Sequence, residues 1–308
     1  MVSCPDHRIA IREGCVLLLP ARSGDQGEGR FDCILTARRN TGMMPSKMQV
    51  PTLRSSIVAR AGDNRRVEPE LLDDLPANDP HAIRSRRDLR RLNAFMGHAG
   101  IIARAVRQAY GGQPPRQIVD LGAGDGTLMM CLAKRLWQVW PNVEVTLVDR
   151  QDIVSAETRR EFGALSWSVR SVAADVFDWL TRLPDSRVDL VTANLFLHHF
   201  ADPALRRLME LVSGRTNCFA ACEPRRYPVA LRASRWLWLL GCNPVTRHDA
   251  VASVRAGFDG PELSALWPGN GNWRLREAAV GLFSHCFVAQ RPNGGPITPR
   301  LTKHGREV

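Results

Sequence analysis

Asp120, Gly122, Gly124 and Gly126 stand in the run IVDLGAGDGTLMM, residues 118–130, at the spacing D-x-G-x-G-x-G. A Cβ in such a turn would block either a left-handed backbone or the close approach of a ligand. A helix starting just behind the turn aims free N–H groups and the positive end of its dipole back at it. The chemistry on offer is to hold a flat, polar group against bare backbone. Ala123 lies inside the same turn. Further along, Asp149, Asp175 and Asn194 each close a short apolar run. The Asp149 carboxylate can accept both hydroxyls of a ribose, each bond to a charged group being worth about 1.5–3 kcal/mol. Arg150 follows it. His198 and His199 come next, and histidine is the natural base near neutral pH. Adjacent histidines at a loop–helix junction are also often structural. Glu223 is a second candidate base, or it holds Arg225 or Arg226.

These residues need elements that bring them to one edge. From Gln117 onward short apolar runs alternate with helical periods, which predicts βαβ units and a parallel sheet with helices on both faces. Each candidate then falls at the carboxyl end of a strand, where ligands of open α/β sheets bind. The helix behind the glycine turn is expected to place Leu128, Leu132, Leu136 and Val139 on one face. A long helix is expected over residues 228–240, and a closing strand pair over 267–277 and 282–289. Upstream, Asp79-Pro80 predicts a helix over residues 81–95. Leu89, Leu92, Phe95 and Met96 mark its apolar face, with Arg84, Arg87, Arg90 and Arg91 largely off it. With a second helix over 101–110 it makes either a lid or a packing helix with a solvated arginine face. Residues 1–65 show no sustained period and read as poorly ordered, or as an extension ahead of a later start at Met43, Met44 or Met48. The expected organisation is this extension, a helical lid over 66–115, a ligand-binding domain over 116–290 and a mobile tail over 291–308.

The 308 residues carry 44% apolar side chains, enough for a packed core. No run of 18 apolar residues exists, so no membrane span is expected. Eight cysteines are scattered without C-x-x-C or zinc spacing, which favours a reducing, cytoplasmic setting and gives no metal site. Net charge is +11, a value that can signal a polyanionic partner. Only three of the 42 basic residues are lysines, and such arginine bias is also what a GC-rich genome produces. Residues 81–110 hold seven arginines against the single acid Asp88.

A dinucleotide fingerprint would read G-x-G-x-x-G. Here the third glycine comes one residue early, at Gly126, and Thr127 stands in its place. Glycine turn, Asp149, Asp175 and NLFLHHF (194–200), in that order, resemble a class I S-adenosylmethionine (SAM)-dependent methyltransferase. The style is similar to bacterial small-molecule enzymes of the ubiquinone and menaquinone group. The resemblance implies a Rossmann-like, mostly parallel seven-stranded sheet with one antiparallel strand, and SAM as cofactor. It implies that Asp175 accepts the adenine amino group, with Asp178 a competing choice that can instead start a helix. It also implies that Val176 packs on the ring and that Asn194 runs along the methionine half. Arg247 and His248 lie where the family shapes its acceptor pocket, with a helix cap by Thr246 or Asp249 as the alternative. The expected activity is O- or C-methylation of a small apolar, phenolic or lipid-like acceptor. The sequence lacks an N-P-P-Y motif and a Pro-Cys nucleophile, which counts against nucleic-acid bases. An RNA or protein methyltransferase, a non-catalytic SAM-fold regulator and an NAD enzyme remain as rival readings.

Overall fold

The computed structural model describes residues 65–111, 113–183, 187–269 and 272–292. The readings of residues 1–64 and of the tail from 293 lie outside these. Three helices come first: α1 (Leu71–Asp74), α2 (Pro80–Met96) and α3 (His98–Tyr110). Strand and helix then alternate through β1 (Gln117–Leu121), α4 (Thr127–Leu136), β2 (Glu144–Asp149), α5 (Ala156–Ala164), β3 (Ser168–Ala173), α6 (Val176–Arg182), β4 (Val188–Asn194), α7 (Asp202–Arg215) and β5 (Thr216–Pro224). The chain continues through α8 (Pro228–Ser234), α9 (Pro244–Ala256) and α10 (Glu262–Leu266) to the hairpin β6 (Arg274–Val280) and β7 (Ser284–Gln290).

The seven strands lie in the order β3-β2-β1-β4-β5-β7-β6. All pairs from β3 to β5 are parallel, and β7 runs antiparallel to both β5 and β6. The expected sheet is therefore present. β5 is buried along its whole length, as a strand covered on both faces must be. One face carries Ile102, Val106, Leu132, Leu136 and Phe162 from α3, α4 and α5. The other carries Val176, Leu205, Leu208 and Leu263 from α6, α7 and α10. Strand order reverses between β1 and β4, which opens a crevice at their carboxyl ends.

Several local expectations are corrected. α4 stops at Leu136, and Val139 is half exposed beyond it while Trp140 is buried. α8 stops at Ser234, and a 3₁₀ turn over Leu237–Leu240 follows. α9 starts at Pro244 because Asn243 caps it, its Oδ1 accepting from the Thr246 N–H at 2.7 Å. Trp267 lies outside the hairpin, buried and stacked on Phe219. Asp79 caps α2 as expected, accepting from the His81 N–H at 2.7 Å. The buried stripe of α2 is Ala82, Ser85 and Asp88, whereas Phe95 is 77% exposed. The reason is polar: Asp88 Oδ2 accepts from the Asn243 N–H at 2.9 Å, and Ser85 Oγ donates to Asn243 Oδ1 at 3.0 Å. The Arg65 guanidinium pairs with Asp202, donates to the Phe200 and Ala256 carbonyls and lies over the Phe258 ring.

Candidate active site

β1 delivers the chain into the glycine turn with Gly122, Gly124 and Gly126 at φ of 66°, 55° and 77°, all left-handed. A Cβ at Gly122 would sit 2.2 Å from Phe196 Cδ2, and one at Gly126 would sit 2.9 Å from Leu147 Cδ1. These two glycines serve packing. A Cβ at Gly124 would meet nothing within 4 Å, so this backbone faces open space. The Gly124 N–H donates to Asp149 Oδ2 at 2.8 Å, and the Gln151 N–H to Oδ1 at 3.0 Å. The carboxylate expected to bind a ribose is thus fixed beside the turn, with lone pairs left over on both oxygens. Arg150 is exposed.

A cleft runs between α2 and this turn. Leu89, Arg90 and Asn93 line one wall; Asp120, Gly124 and Asn194 line the other, with Gly122 and Ala123 between. Asp120 is buried and accepts from Thr192 Oγ1 at 2.7 Å. Burial pushes its carboxyl up to about 7; Thr192 opposes this and the charge on Asp149 adds to it. Asn194 Oδ1 is buried with no hydrogen-bond partner among the described residues. His98, fully buried beside it, has its Nε2 3.0 Å from Ser284 Oγ. Burial drives His98 down to about 4, against weaker upward pulls from Asn194 and Glu223.

Asp175 is exposed at the end of β3 and caps α6, its Oδ1 accepting from Phe177 N–H at 2.8 Å and Asp178 N–H at 3.4 Å. The helix start offered to Asp178 therefore belongs to Asp175; Asp178 pairs loosely with Arg182 along the helix. Val176 is buried in the core beside Leu121 and Val148.

The candidate bases form a chain of charges beneath the 3₁₀ turn Leu197–His199. Glu223 is fully buried and accepts from the Phe196 and Leu197 N–H groups, each at 3.0 Å, and from the His198 N–H at 3.4 Å. Its Oε2 also lies 2.7 Å from His198 Nδ1. The His198 Nε2 lies 3.2 Å from Glu70 Oε1. Burial would depress His198, but Glu223 and Glu70 outweigh it and raise the imidazole to about 9. Burial raises each carboxyl, and the His198 partnership more than reverses this, so both stay ionised. Neither candidate base is free of partners: His198 lies between Glu223 and Glu70, and Glu223 is occupied in fixing the loop. Nor does Glu223 hold an arginine: Arg225 pairs with Asp259 and Arg226 with Glu262. His199 keeps a partly exposed ring, with Nδ1 3.3 Å from Asp73 Oδ2.

Arg247 and His248 are exposed on α9 and outside the cleft, whose wall is α2 instead. They turn outward because the next residue, Asp249, turns inward. Its oxygens accept from the Leu71 and Leu72 N–H groups at 2.8 and 3.0 Å, anchoring α1. The sequence reading missed Glu70, Thr192, Arg90 and His98. Only Arg90 carried a signal, as one of the clustered arginines.

The family profile described as "Methyltransferase domain" matches residues 118–215. Trans-aconitate 2-methyltransferase of Mycolicibacterium gilvum (strain PYR-GCK) is 31% identical over 154 residues, covering 47% of this chain and 54% of that protein. The chain thus spans about half the length of this curated relative. Among solved structures, the plantazolicin methyltransferase BamL, in complex with a triazolic desmethylPZN analog and SAH, aligns at a TM-score of 0.50 and 11% identity. That alignment covers 71% of this chain and 92% of BamL, a likeness of fold. The mitomycin 7-O-methyltransferase MmcR aligns at a TM-score of 0.47 and 19% identity, over 76% of this chain and 62% of its own. The segment matched by the methyltransferase-domain profile, residues 118–215, runs from β1 through the glycine turn to α7 and so contains the cleft's turn wall.

Proposed function

We propose that the chain transfers a methyl group from SAM to a small-molecule acceptor in the cleft between α2 and the glycine turn. The observation that carries this reading is the open backbone at Gly124 held beside Asp149. SAM, when bound, supplies an activated methyl on a sulfonium. The residues present fit it. The remaining lone pairs of Asp149 accept ribose hydroxyls, and the exposed Asp175 carboxylate suits an adenine amino group. The orphaned Asn194 Oδ1 suits the ammonium of the methionine half. Leu89, Leu128 and Leu195 give the cleft apolar surface for a phenolic or lipid-like acceptor. Helix α2 covers the cleft and shields the line of attack from water.

Calorimetric titration with S-adenosylhomocysteine (SAH) tests the cofactor site. Wild type binds. Asp149→Ala, losing two hydrogen bonds worth about 1.5–3 kcal/mol each, binds at least about a hundredfold more weakly. No heat of binding to wild type would end the proposal. Label transfer from methyl-labelled SAM to a panel of phenols and fatty acids tests the acceptor class.

A further inference from the structure

Between α8 and α9 the chain places large apolar side chains outward. The 3₁₀ turn Leu237–Leu240 has no buried residue. Trp236 is 59% exposed, Trp238 53%, Leu239 61% and Leu240 64%. The two indoles stack on each other, with ring centroids 6.3 Å apart. Single exposed apolar residues are ordinary, but a contiguous cluster with two tryptophans marks an interaction surface.

The tip is held out by its base. Gly241 is left-handed at φ 71° and ends the turn. The next residues are clamped to α2: Asn243 Nδ2 donates to the His81 carbonyl at 2.9 Å, and its N–H donates to Asp88. Arg84 reaches the Gly241 carbonyl at 3.5 Å.

The surrounding charge selects the partner. Residues 228–248 contain Arg232, Arg235 and Arg247, all exposed, and no carboxylate. The adjoining α2 adds exposed Arg84, Arg87 and Arg91, while its own acid, Asp88, is buried. Tryptophan and leucine at a tip ringed by arginine is the composition of an interfacial anchor on anionic lipid.

We propose that Trp236–Leu240 anchors the protein peripherally on an anionic bilayer. The indoles and leucines enter the headgroup–acyl boundary, and Arg232 and Arg235 meet lipid phosphates. Among the described residues no helix is long and apolar enough to cross a membrane. The inference stands apart from the methyl-transfer reading, because it rests on a different surface. If both hold, α2 links them. Residues 81, 84 and 88 clamp the anchor, and Leu89, Arg90 and Asn93 wall the cleft, so docking sets the cleft beside the lipid phase where an amphiphilic acceptor partitions.

The test is cosedimentation of the full chain with vesicles of phosphatidylcholine alone or mixed with phosphatidylglycerol. Binding is expected to the mixed vesicles and to weaken with salt. Trp236→Ala with Trp238→Ala should reduce it at least tenfold, roughly the apolar burial lost. Each of Arg232→Gln and Arg235→Gln should reduce it about fivefold, the factor that about 1 kcal/mol represents. All four positions are exposed, and a thermal melt checks that the variants fold. No sedimentation with anionic vesicles, or sedimentation that the tryptophan double variant leaves unchanged, overturns the proposal. So does a tryptophan-dependent dimer in ultracentrifugation without vesicle binding, which would give the surface to a second copy of the chain.

Discussion

Arg90 Nη1 lies 2.7 Å from Asp125 Oδ2, so one ion pair ties helix α2 to the glycine turn across the mouth of the cleft. Asp125 Oδ1 meanwhile accepts from the Thr127 N–H at 3.0 Å, fixing the start of α4. The pair is partly exposed on both sides, 43% and 26%, and contributes only about 0–1 kcal/mol to stability. Its position gives it a second role, as a latch.

Arg90→Ala should therefore leave the unfolding midpoint almost unchanged and speed release of SAH about fivefold, the factor corresponding to about 1 kcal/mol. Stopped-flow displacement measures this. Release at the wild-type rate would show that the packing of α2 on α9, α3 and α4 holds it without the ion pair.

The glycines of the turn should separate by substitution. Gly122→Ala combines a left-handed alanine, about 1–2 kcal/mol, with a Cβ driven into Phe196, about 1–3 kcal/mol more. It should lower the melting temperature by several degrees. Gly124→Ala bears the conformational cost alone, because its Cβ enters open space. It should melt less far below wild type than Gly122→Ala and yet fail to bind SAH. Scanning calorimetry and titration on the two variants read both quantities, and normal SAH affinity in Gly124→Ala would remove the cradle from the proposal.

The sheet, the turn and Asp149 were legible because each is a local pattern. Ile118, Val119 and Leu121 announce a buried strand, and three glycines at alternate positions announce a turn. The failures came where partners lie far apart in sequence. Phe95 and Leu92 look like the inward face of α2, but what buries that helix is hydrogen bonding of Ser85 and Asp88 to Asn243, more than 150 residues away. The same holds for His198. Nothing in NLFLHHF shows that Glu70, 128 residues upstream, closes the far side of its ring. A histidine that looks like a free base in sequence lies between two acids in the fold. Val139 failed for a local reason, since the helix ends one turn earlier and Trp140 takes the buried place.

Asp249 offers a test of how the N-terminal segment is held. It is buried, and its carboxylate is the acceptor for the first two N–H groups of α1. Asp249→Ala strands these donors and should cost about 1–3 kcal/mol. Loss of α1 also withdraws Glu70 from His198 and Ser253. Limited proteolysis should then cut among residues 65–75 much faster than in wild type. An unchanged digestion pattern would mean that the segment's other contacts, through Arg65, Glu68 and Glu70, hold it without Asp249.

Two buried histidines should bend the stability profile in opposite directions. His198 is raised to about 9 from an ordinary 6.5, so the folded state keeps a proton that the unfolded chain gives up. Its contribution is full below about pH 6.5 and is lost as pH rises through about 9; the difference corresponds to about 3 kcal/mol at most. His98 is lowered to about 4, so the unfolded chain takes up a proton that the folded state refuses. Stability from keeping it neutral is present above about pH 6.5 and is lost as pH falls toward about 4. Glu70 and Glu223, held below their ordinary range, add to the acid-side loss. Urea unfolding across this range should show a maximum near pH 6.5. His198→Gln should flatten the alkaline limb, because glutamine can still donate to Glu223 but carries no proton to lose. His98→Asn should flatten part of the acid limb and leave the alkaline limb as it was. An alkaline limb that survives unchanged in His198→Gln would place its cause in another group and remove the raised imidazole from the account.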